Sequence, residues 1–482
     1  MITSRRMAAV DENAEALGVP RKQLMESSGN AIAREVRSLV DDGASVSIVA
    51  GRGNNGGDAF VAARFLKEYD VTVHLLGRPE TISTDIAREN WEALGNAEFD
   101  ARVVRDSKAL ELGDPDLVVD AMLGTGVTGA LRDPEASAAK AINDADATVL
   151  AVDVPSGVDA DTGDSAGVAV DTDHVVTFHD DKPGLGGLDA TVTVADIGIP
   201  AAAERFVGPG DLNVLVRDPE SHKGDNGDVL VIGGGPFSGA PALSARAVLR
   251  AGADLVNVVC PENVADAVRG YSENFIVHDL DGNRLRPAHI DELLGRAESK
   301  DAVVLGPGLG GADETLDAVR QFLSGFDGTA VVDADALQVV PKVDTDATLV
   351  CTPHQGELQK MGGETADNWE ARAELVEEFA AELGQTLLVK GAHDVISDGK
   401  RTRVSRTGNA GMTVGGTGDV LAGVTGALAA TQDPFEAASV AAWANGRAGD
   451  VVAEERGYGL VATDLADQLP KAMNRGGEVE GV

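Results

Sequence analysis

The sequence contains few of the residues that mark secreted, disulfide-stabilised or membrane proteins. Among its 482 residues only two are cysteines, Cys260 and Cys351, and they lie far apart in apolar runs. This spacing argues against a disulfide framework or a zinc cluster and predicts two buried, reduced thiols. No apolar run approaches the roughly 20 residues that a membrane helix needs, and the N-terminal segment lacks the apolar core of a signal peptide. We therefore expect a cytoplasmic protein.

Basic residues are also scarce. The chain has 40 Lys and Arg against 79 Asp and Glu, which gives a formal net charge of -39. A field of this sign repels phosphate backbones and anionic lipid headgroups, so the composition argues against nucleic acid and membrane partners. Such an excess of acid is typical of proteomes adapted to high internal salt, where screening makes the charge tolerable. A phosphorylated substrate must then bind through local backbone dipoles and a few cations.

Strand and helix patterns alternate along both halves of the chain, as in parallel α/β architecture. In the first half, strands are predicted at SVSIVAG, VTVHLLG, DLVVDAML, TVLAVDVPSG and HVVTFHD, and helices at AFVAARFLKEY and IARENWEALGN. In the second half, strands are predicted at DVLVIGGG, LVNVVC, NFIVHDL, DAVVLGPG, TAVVDADAL, TLVCTPH and TLLVKGAHDVI, and helices at PALSARAVLRAGA and ELVEEFAAELG. Two sheets of different fold are expected, because the alternation restarts and the halves share no motif.

The length of the chain also predicts two domains, since it exceeds what one hydrophobic core usually serves. The stretch 207–227 is rich in Pro, Gly, Asp and Asn and has no clear period, so we place the linker there. We predict a first domain over residues 1–215, a second over 216–475 and a disordered tail over 476–482.

Three polar loops follow predicted strands of the first half, at the edge where open α/β sheets bind ligands. The first, GRGNNGGDAF, places glycines where backbone N–H groups can approach an anion at a helix start. A tight turn would explain the glycines, but not the three polar side chains of Asn54, Asn55 and Asp58. The second loop, DAMLGTGVTGA, contains a formal G-x-G-x-x-G. We discount the dinucleotide fingerprint because this loop follows a later strand instead of opening the first helix.

The third loop, AVDVPSGVD, places Asp153 at a strand end and Ser156 just beyond it. Alone, that carboxylate is as typical of a turn as of a site. Together the three loops resemble the N-terminal domain of the NAD(P)H-hydrate epimerases over about residues 5–200. NNGGD and VDVPSG are the most specific parts, and TFHDDKPG and DIGIP agree. The resemblance implies a Rossmann-like three-layer fold. Arg52, where a Pro is usual, and Ala59, where a Gly is usual, depart from the family pattern.

The same resemblance implies the site residues of the first domain. The hydrate of NADH or NADPH would contact Asn54, Asn55, Gly56, Gly57, Asp58, Gly124, Thr125, Gly126, Val127, Thr128, Gly129, Ala130 and Asp153. Potassium would be bound by Asn55, Asp120 and Ser156, whose hard oxygen donors suit an alkali cation. Asp153 is the candidate acid/base. Protonating the hydroxyl of the hydrate lets water leave as an iminium forms, and water can return to either face.

The second half carries the more specific motif, NAGMTVGGTGDVLAGVTGALAA. Gly415, Gly416 and Gly418 precede an apolar helix and Asp419 lies in its predicted first turn. Free N–H groups and the positive helix end would form an anion hole beside a base, and phosphoryl transfer requires both. No Walker G-x-x-x-x-G-K-[ST] is present, which argues against P-loop chemistry.

This motif resembles the ribokinase-like superfamily. The blocks KGDNGDVLVIGGG, FSGAPALSARAVLRAGA, LGPGLG, DADAL, TPHQGE and VKGAHDVI narrow the resemblance to the ADP- or ATP-dependent NAD(P)H-hydrate dehydratases over about residues 222–470. By this resemblance the hydrate would contact Ala240, Gly308, His354 and Asp419, with Asp419 catalytic. The nucleotide would contact Lys390, Gly391, Ala392, His393, Asp394 and Gly418. His354 and Glu357 are otherwise a neutral loop pair. Asp333 and Asp335 either close a strand or coordinate magnesium through water.

The two resemblances predict one bifunctional enzyme that epimerises R and S hydrates and dehydrates the S form with ADP or ATP. Its expected partners are these small molecules, with potassium and magnesium as cofactors, and it is expected to form a homo-oligomer. One alternative is a kinase of a vitamin-precursor alcohol, because GGTGD occurs there too. Another is a scaffold protein with a decayed first site, against which the intact Asn55, Asp120, Asp153 and Ser156 argue.

Overall fold

We describe the protein from a computed structural model, which covers residues 1–106, 110–126 and 129–474. The chain divides into two compact units, Met1–Ala203 and Glu204–Val482. Each unit has its own sheet, so the α/β class predicted for both halves is confirmed. In the described residues, no helix is long and apolar enough to cross a membrane.

The first unit is built on a seven-stranded parallel sheet of order β3-β2-β1-β4-β5-β6-β7. Its strands are β1 (Ser45–Ala50), β2 (Asp70–Leu76), β3 (Asp100–Val104), β4 (Leu117–Ala121), β5 (Thr148–Val152), β6 (His174–Phe178) and β7 (Thr191–Ala195). Its helices are α1 (Ser4–Ala16), α2 (Arg21–Leu39), α3 (Asn54–Phe65), α4 (Asp85–Asn96), α5 (Glu135–Asn143) and α6 (Ala201–Arg205), the last of which crosses the boundary between the units.

Successive residues of the interior strand β1 pack into two separate cores. Ile48 belongs to a core with α1 to α4, whereas Val49 belongs to one with α5. Apolar strands without polar alternation are expected where helices cover both faces of a parallel sheet. The first unit therefore has three layers, and its strand order reverses between β1 and β4.

The second unit contains a nine-stranded sheet of order β10-β9-β8-β11-β12-β13-β14-β15-β16. Its strands are β8 (Asp228–Ile232), β9 (Leu255–Pro261), β10 (Ile276–Leu280), β11 (Ala302–Leu305), β12 (Thr329–Val332), β13 (Thr348–Cys351), β14 (Thr386–Val389), β15 (Asp394–Ser397) and β16 (Thr402–Ser405). Its remaining helices are α7 (Gly239–Arg250), α8 (Glu262–Tyr271), α9 (Ile290–Ala297), α10 (Asp313–Gly325), α11 (Gln355–Met361), α12 (Trp369–Leu383), α13 (Thr417–Ala429), α14 (Pro434–Arg456) and α15 (Ala462–Ala472).

The second sheet is parallel except at one edge. Strands β14, β15 and β16 pair antiparallel. Val231 of β8 lies in a core with α7, α13 and α14, and Ile232 lies in a core with α9 and α10. This unit is therefore also three-layered. Cys260 and Cys351 are both buried and free, as predicted.

The structure differs from the predicted elements at three places. TLLVKGAHDVI is not one strand but the antiparallel pair β14 and β15, because the chain turns at residues 390–393. The short strands β3, β7 and β16 were not predicted at all. Residues 204–215, predicted as part of the first domain, belong to the second unit. The predicted tail 476–482 lies outside the described residues.

Contacts along residues 204–215 explain their place in the second unit. The Val207 N–H donates to the carbonyl of Val404 at 3.0 Å. Asp211 and Arg403 form an ion pair of 2.7 Å, with side chains only 2% and 8% exposed. Leu212 packs into the core formed with α7 and α13. The polar composition predicted a linker here, but these buried contacts attach the segment to the second unit.

Candidate active sites

The predicted loops of the first unit meet at the carboxyl edge of its sheet. A cavity of about 620 Å³ lies there, beside the point where the strand order reverses between β1 and β4. Close backbone approach explains two glycines of the first loop. A Cβ on Gly51 would lie 1.8 Å from the carbonyl oxygen of Met122, and one on Gly56 would lie 2.1 Å from that of Gly51. Only glycine lets the loops after β1 and β4 approach this closely.

Asp120, Ser156 and Asn55 form a buried polar cluster under this cavity. Ser156 donates its hydroxyl to Asp120 Oδ1 at 2.7 Å and its N–H to Oδ2 at 2.8 Å. Burial raises the pKa of Asp120 to about 6, although these hydrogen bonds lower it. The amide nitrogen of Asn55 donates to the carbonyls of Leu123 and Val152. Its Oδ1 is buried and accepts no hydrogen bond in the described residues. The cluster thus contains oxygen atoms available to a cation.

Asp153 lies at the cavity wall, directly after β5. Its φ of +66° is rarely adopted by a residue other than glycine, and such strain is concentrated at functional sites. The carboxylate accepts a hydrogen bond from the Thr177 hydroxyl at 3.1 Å and lies 3.4 Å from Lys182 Nζ. Lys182 is only 1% exposed and also donates to the carbonyls of Phe178 and Asp180. A buried cation therefore holds this carboxylate in place.

Two further carboxyl groups line the same cavity. Asp58 was predicted from its loop, whereas Asp11 of α1 was missed because no motif of the sequence points to it. Burial raises the pKa of Asp58 well above its usual range, and the charges of Asp153 and Asp11 add to the rise. The cavity therefore places three acidic groups within electrostatic reach of one another.

In the second unit, the GGTGD loop lies between two cavities. Helix α13 begins at Thr417, and its N-cap Gly416 has a φ of +97°, which favours glycine. Asp419 lies in the first turn, as predicted, and its carbonyl accepts a hydrogen bond from the Ser244 hydroxyl of α7 at 2.8 Å. The first N–H groups of α13 have no partner within the helix, so the loop offers an anion site.

A cavity of about 610 Å³ lies on one side of this loop. Ala240, Gly308 and Asp419, three of the residues predicted to touch the hydrate, line it together with Asp335. Burial raises the pKa of Asp419 to about 7; the Asp333 charge adds to the rise and Lys390 opposes it. A carboxyl group with this pKa exchanges a proton readily near neutral pH.

A cavity of about 580 Å³ lies on the other side and is lined by Lys390, Gly391, Ala392, Asp394 and Gly418. Lys390 Nζ lies 2.9 Å from Asp333 Oδ1 and 3.8 Å from Glu357 Oε2. Burial alone would lower the pKa of Lys390, but these carboxylates outweigh it and raise the pKa. The cation is therefore fixed beside the loop, since a Cβ on Gly418 would lie 3.3 Å from it.

Polar residues that the sequence analysis missed line the same cavity. Asn409 donates to Asp450 Oδ1 at 3.0 Å, and the Gly408 N–H donates to Asp450 Oδ2 at 3.1 Å. Asn445 of α14 has a buried Oδ1 with no hydrogen-bond partner in the described residues. Asn409 opens the NAGMTVGGTGD block and Asn445 lies in α14, but the sequence pattern gave neither a role, because the fold brings them to this cavity.

His354 has a local role that the sequence only partly suggested. Its Nδ1 accepts the N–H groups of Gly356 and Glu357 at 3.0 and 3.2 Å and caps α11. Glu357 in turn accepts the His354 N–H at 2.8 Å. His354 lines neither cavity, although its backbone pairs with Lys390. The alternative, that His354 and Glu357 form a loop pair without a catalytic role, agrees with this capping, and the predicted contact of His354 with the hydrate stays a prediction.

Comparisons with known proteins identify the family. A family model described as NAD(P)H-hydrate dehydratase matches residues 229–471, and one described as YjeF-related protein N-terminus matches residues 21–184. The bifunctional NAD(P)H-hydrate repair enzyme of Methanothermobacter thermautotrophicus is 44% identical, covering 98% of this chain and 95% of its own. That of Archaeoglobus fulgidus is 43% identical, covering 98% of each chain.

The chain belongs to the bifunctional NAD(P)H-hydrate repair enzymes. A solved structure of a hypothetical protein from Streptococcus mutans matches 56% of this chain and 98% of its own, with a TM-score of 0.50 and 24% identity. That likeness concerns the fold alone. The predicted membership of the repair family is confirmed, as is the α/β class of both domains.

Within this repair-enzyme fold, most predicted residues of the first site lie together. Those lining the cavity are Asn54, Asn55, Asp58, Gly124, Thr125, Gly126 and Asp153. Gly56 and Gly57 are buried in α3, and Gly129 lines a smaller neighbouring cavity. Val127 and Thr128 lie outside the described residues. Arg52 points elsewhere, with its guanidinium 3.5 Å from Glu135.

In the dehydratase half, the predicted residues fall into the two cavities beside the GGTGD loop. His393 is the exception among the predicted nucleotide contacts. Its ring stacks on Trp369, with centroids 5.9 Å apart and an interplanar angle of 23°. The roles of all these residues stay predictions.

Proposed function

We propose that the first unit epimerises the R and S hydrates of NADH and NADPH, and that the second dehydrates the S hydrate with ADP or ATP. The products of the second reaction would be NADH or NADPH, phosphate, and AMP or ADP. One observation carries this proposal: Asp419 and the free N–H groups of α13 lie between two cavities, with Lys390 beside them. A phosphoryl donor and a hydroxyl acceptor can meet there.

In the dehydration, Asp419 accepts the proton of the hydroxyl group of the hydrate as its oxygen attacks the terminal phosphorus of the nucleotide. The N–H groups of α13 and the Lys390 ammonium stabilise the charge on the transferred phosphoryl group. Phosphate is a better leaving group than hydroxide. The lone pair of the ring nitrogen expels it, and loss of a proton from the adjoining carbon restores the dihydropyridine.

In the epimerisation, a carboxyl group protonates the hydroxyl of the hydrate and water leaves as an iminium forms. Asp153 fits this role because it lines the first cavity and the buried Lys182 fixes its position. Water then adds to the ring and gives either epimer. The neighbouring loops after β1 and β4 would hold the phosphates through their backbone N–H groups.

Potassium fits the cluster of Asn55, Asp120 and Ser156. The buried Asn55 Oδ1 has no hydrogen-bond partner in the described residues. The Asp120 carboxylate, which hydrogen bonds through Ser156 and Leu123 connect to Asn55, has no cationic partner there. Amide, carboxylate and hydroxyl oxygens are hard donors that suit an alkali cation. When bound, the ion would supply a fixed positive charge beneath the phosphate loops.

Magnesium has no comparable protein site. The described residues contain no group of three or more His, Cys, Asp or Glu able to hold a metal ion, and Asp333 is already paired with Lys390. We propose that magnesium enters with the phosphates of the nucleotide and keeps most of its water ligands. The buried free thiols support the cytoplasmic location. The homo-oligomer stays a prediction.

The test is incubation of the full-length protein with S hydrate and ADP or ATP while reduced-ring absorbance and free phosphate are followed. We expect the two products to appear in equal amounts, and Asp419→Asn to form neither. Asp313→Asn is the matched control, because Asp313 also lies in the first turn of a helix but outside both cavities. A kinase of a vitamin-precursor alcohol would release no reduced ring, and a scaffold protein would release neither product.

A further inference from the structure

Asp11 approaches the first cavity from a different element than Asp153. It lies on α1 and lines the cavity with Met7 of the same helix and Arg21 and Leu24 of α2. Asp153 lines it from the strand ends, beside Gly124. No hydrogen bond joins the two carboxyl groups in the described residues. A ring bound in the cavity would therefore have a carboxyl group on the helix side and another on the strand side.

The surroundings of the two groups differ in charge. Asp153 lies 3.4 Å from the ammonium of Lys182, whereas the carboxyl of Asp11 accepts no hydrogen bond from any described residue. Burial raises the pKa of Asp11 to about 6, with Arg21, His179 and Lys182 opposing the rise and Asp153 adding to it. Asp58 also faces this pair. The two carboxyl groups therefore lie in different electrostatic surroundings, and burial moves the pKa of Asp11 toward the range in which a carboxyl group exchanges a proton near neutral pH.

The chemistry of inversion requires groups on both faces of the ring. Water leaves from one face and must add to the opposite face, so the leaving and entering oxygen atoms lie on opposite sides of a flat iminium. A single carboxyl group fixed on one side can serve only one of these atoms. Proton transfer by a positioned group requires hydrogen-bond reach of the atom concerned.

We propose that Asp11 is a second catalytic acid/base, which serves the face of the hydrate opposite to that served by Asp153. This inference rests on the proposed epimerase function. In one direction Asp11 gives its proton to the hydroxyl oxygen, the carbon–oxygen bond breaks with its electrons going to water, and the nitrogen lone pair forms the iminium. A second water adds from the other face and gives a proton to Asp153, while the iminium electrons return to nitrogen. The reverse reaction exchanges the two roles.

The experiment uses full-length protein in water enriched in oxygen-18, without nucleotide, starting from each pure epimer. It follows both inversion and uptake of the heavy oxygen. Asp11→Asn should slow inversion by at least about 100-fold, the lower range for loss of a general acid/base. It should still exchange the oxygen of the epimer whose hydroxyl faces Asp153, because loss and return of water on that face need only Asp153. Asp153→Asn should instead exchange the oxygen only of the epimer whose hydroxyl faces Asp11.

Glu12→Gln is the matched control, because it removes the adjacent carboxylate of α1, which does not line the cavity. It should invert and exchange like the wild type. The proposal is overturned if Asp11→Asn inverts the hydrate at the wild-type rate. It is also overturned if Asp11→Asn unfolds at the wild-type temperature but loses inversion and oxygen exchange to the same extent with both epimers. Absence of inversion by the wild-type protein would instead contradict the epimerase function itself.

Discussion

The protonation state of Asp419 should control dehydration. A general base must be ionised to accept a proton, and burial raises the pKa of this carboxyl to about 7. Below that pH the group is mainly protonated, so kcat/KM for the S hydrate should fall about tenfold per pH unit on the acid side and level off above it. A pH series of initial rates at fixed salt measures this, with the thermal unfolding of the same samples as the control for folding. A dehydration rate that stays constant between about pH 5 and about pH 8 would remove Asp419 as the base.

The charge of Asp120 should determine the response of epimerisation to potassium. Asp120→Asn keeps the shape of the side chain but removes a buried charge from the cluster with Ser156 and Asn55, so the half-saturating potassium concentration should rise by about tenfold or more. Potassium titrations of the epimerase rate measure the change. Asp114→Asn, an exposed position a few residues before β4, is the control. An unaltered titration for Asp120→Asn would show that the ion binds elsewhere.

Sequence patterns located side chains that follow strands and missed those that reach a site from elsewhere. Asp153 directly follows β5 and Asp419 lies in the first turn of α13, both within glycine-containing motifs that predicted a site, and both line cavities. Asp11 lies within a helix, and Lys182 lies in TFHDDKPG, a block that supported the family but received no site role; tertiary folding brings both to the cavity of Asp153. Their chemistry depends on burial and on neighbours that are distant in sequence. A single sequence shows directly neither the burial of a side chain nor its neighbours in the fold.

Helices α7 and α13 pack closely enough to position the GGTGD loop. A Cβ on Gly423 of α13 would lie 2.2 Å from the Ser244 carbonyl of α7, and the Ser244 hydroxyl binds the Asp419 carbonyl. Gly423→Ala should therefore separate the helices, lower the free energy of unfolding by about 1–3 kcal/mol and reduce dehydration more than epimerisation. Thermal unfolding and the two rates measure this.

The control for this packing prediction is Gly270→Ala in α8. A Cβ there would meet nothing within 4 Å, so alanine should leave stability unchanged or raise it slightly through helix propensity. If Gly423→Ala unfolds at the wild-type temperature, close packing of α7 and α13 is not what holds Asp419.

Helices and strands were predictable where the hydrophobic pattern was long, and were missed where it was short. In the strand β8, Val229–Ile232 form an unbroken apolar run, and the structure places this strand as predicted. The edge strands β3 and β7 have mostly exposed or half-buried residues, so they show no apolar run. In TLLVKGAHDVI two short strands adjoin, and the intervening Gly391 was the only sign of the turn. Local pattern cannot separate such pairs.

The charge of the whole molecule should make its stability depend on salt. At a net charge of -39, self-repulsion opposes the folded state, and ions screen it over a Debye length of about 8 Å at physiological ionic strength. The unfolding temperature should therefore rise with sodium chloride concentration. A sucrose series of equal osmolality is the control for excluded-solute effects. An unfolding temperature that is independent of salt would show that ion pairs already balance the acidic surface.

Division of the two reactions between the two units can be tested with full-length variants. Asp153→Asn should lack epimerase activity and Asp419→Asn should lack dehydratase activity, while each keeps the other site. The rate of NADH formation from pure R hydrate with ADP is the decisive measurement. Asp153→Asn alone should form NADH only at the rate of spontaneous epimerisation, and Asp419→Asn alone should form none. The mixture should restore rapid formation because the S hydrate passes from one protein to the other. Rapid consumption of R hydrate by Asp153→Asn alone, or a mixture that stays at the spontaneous rate, would contradict two separate sites.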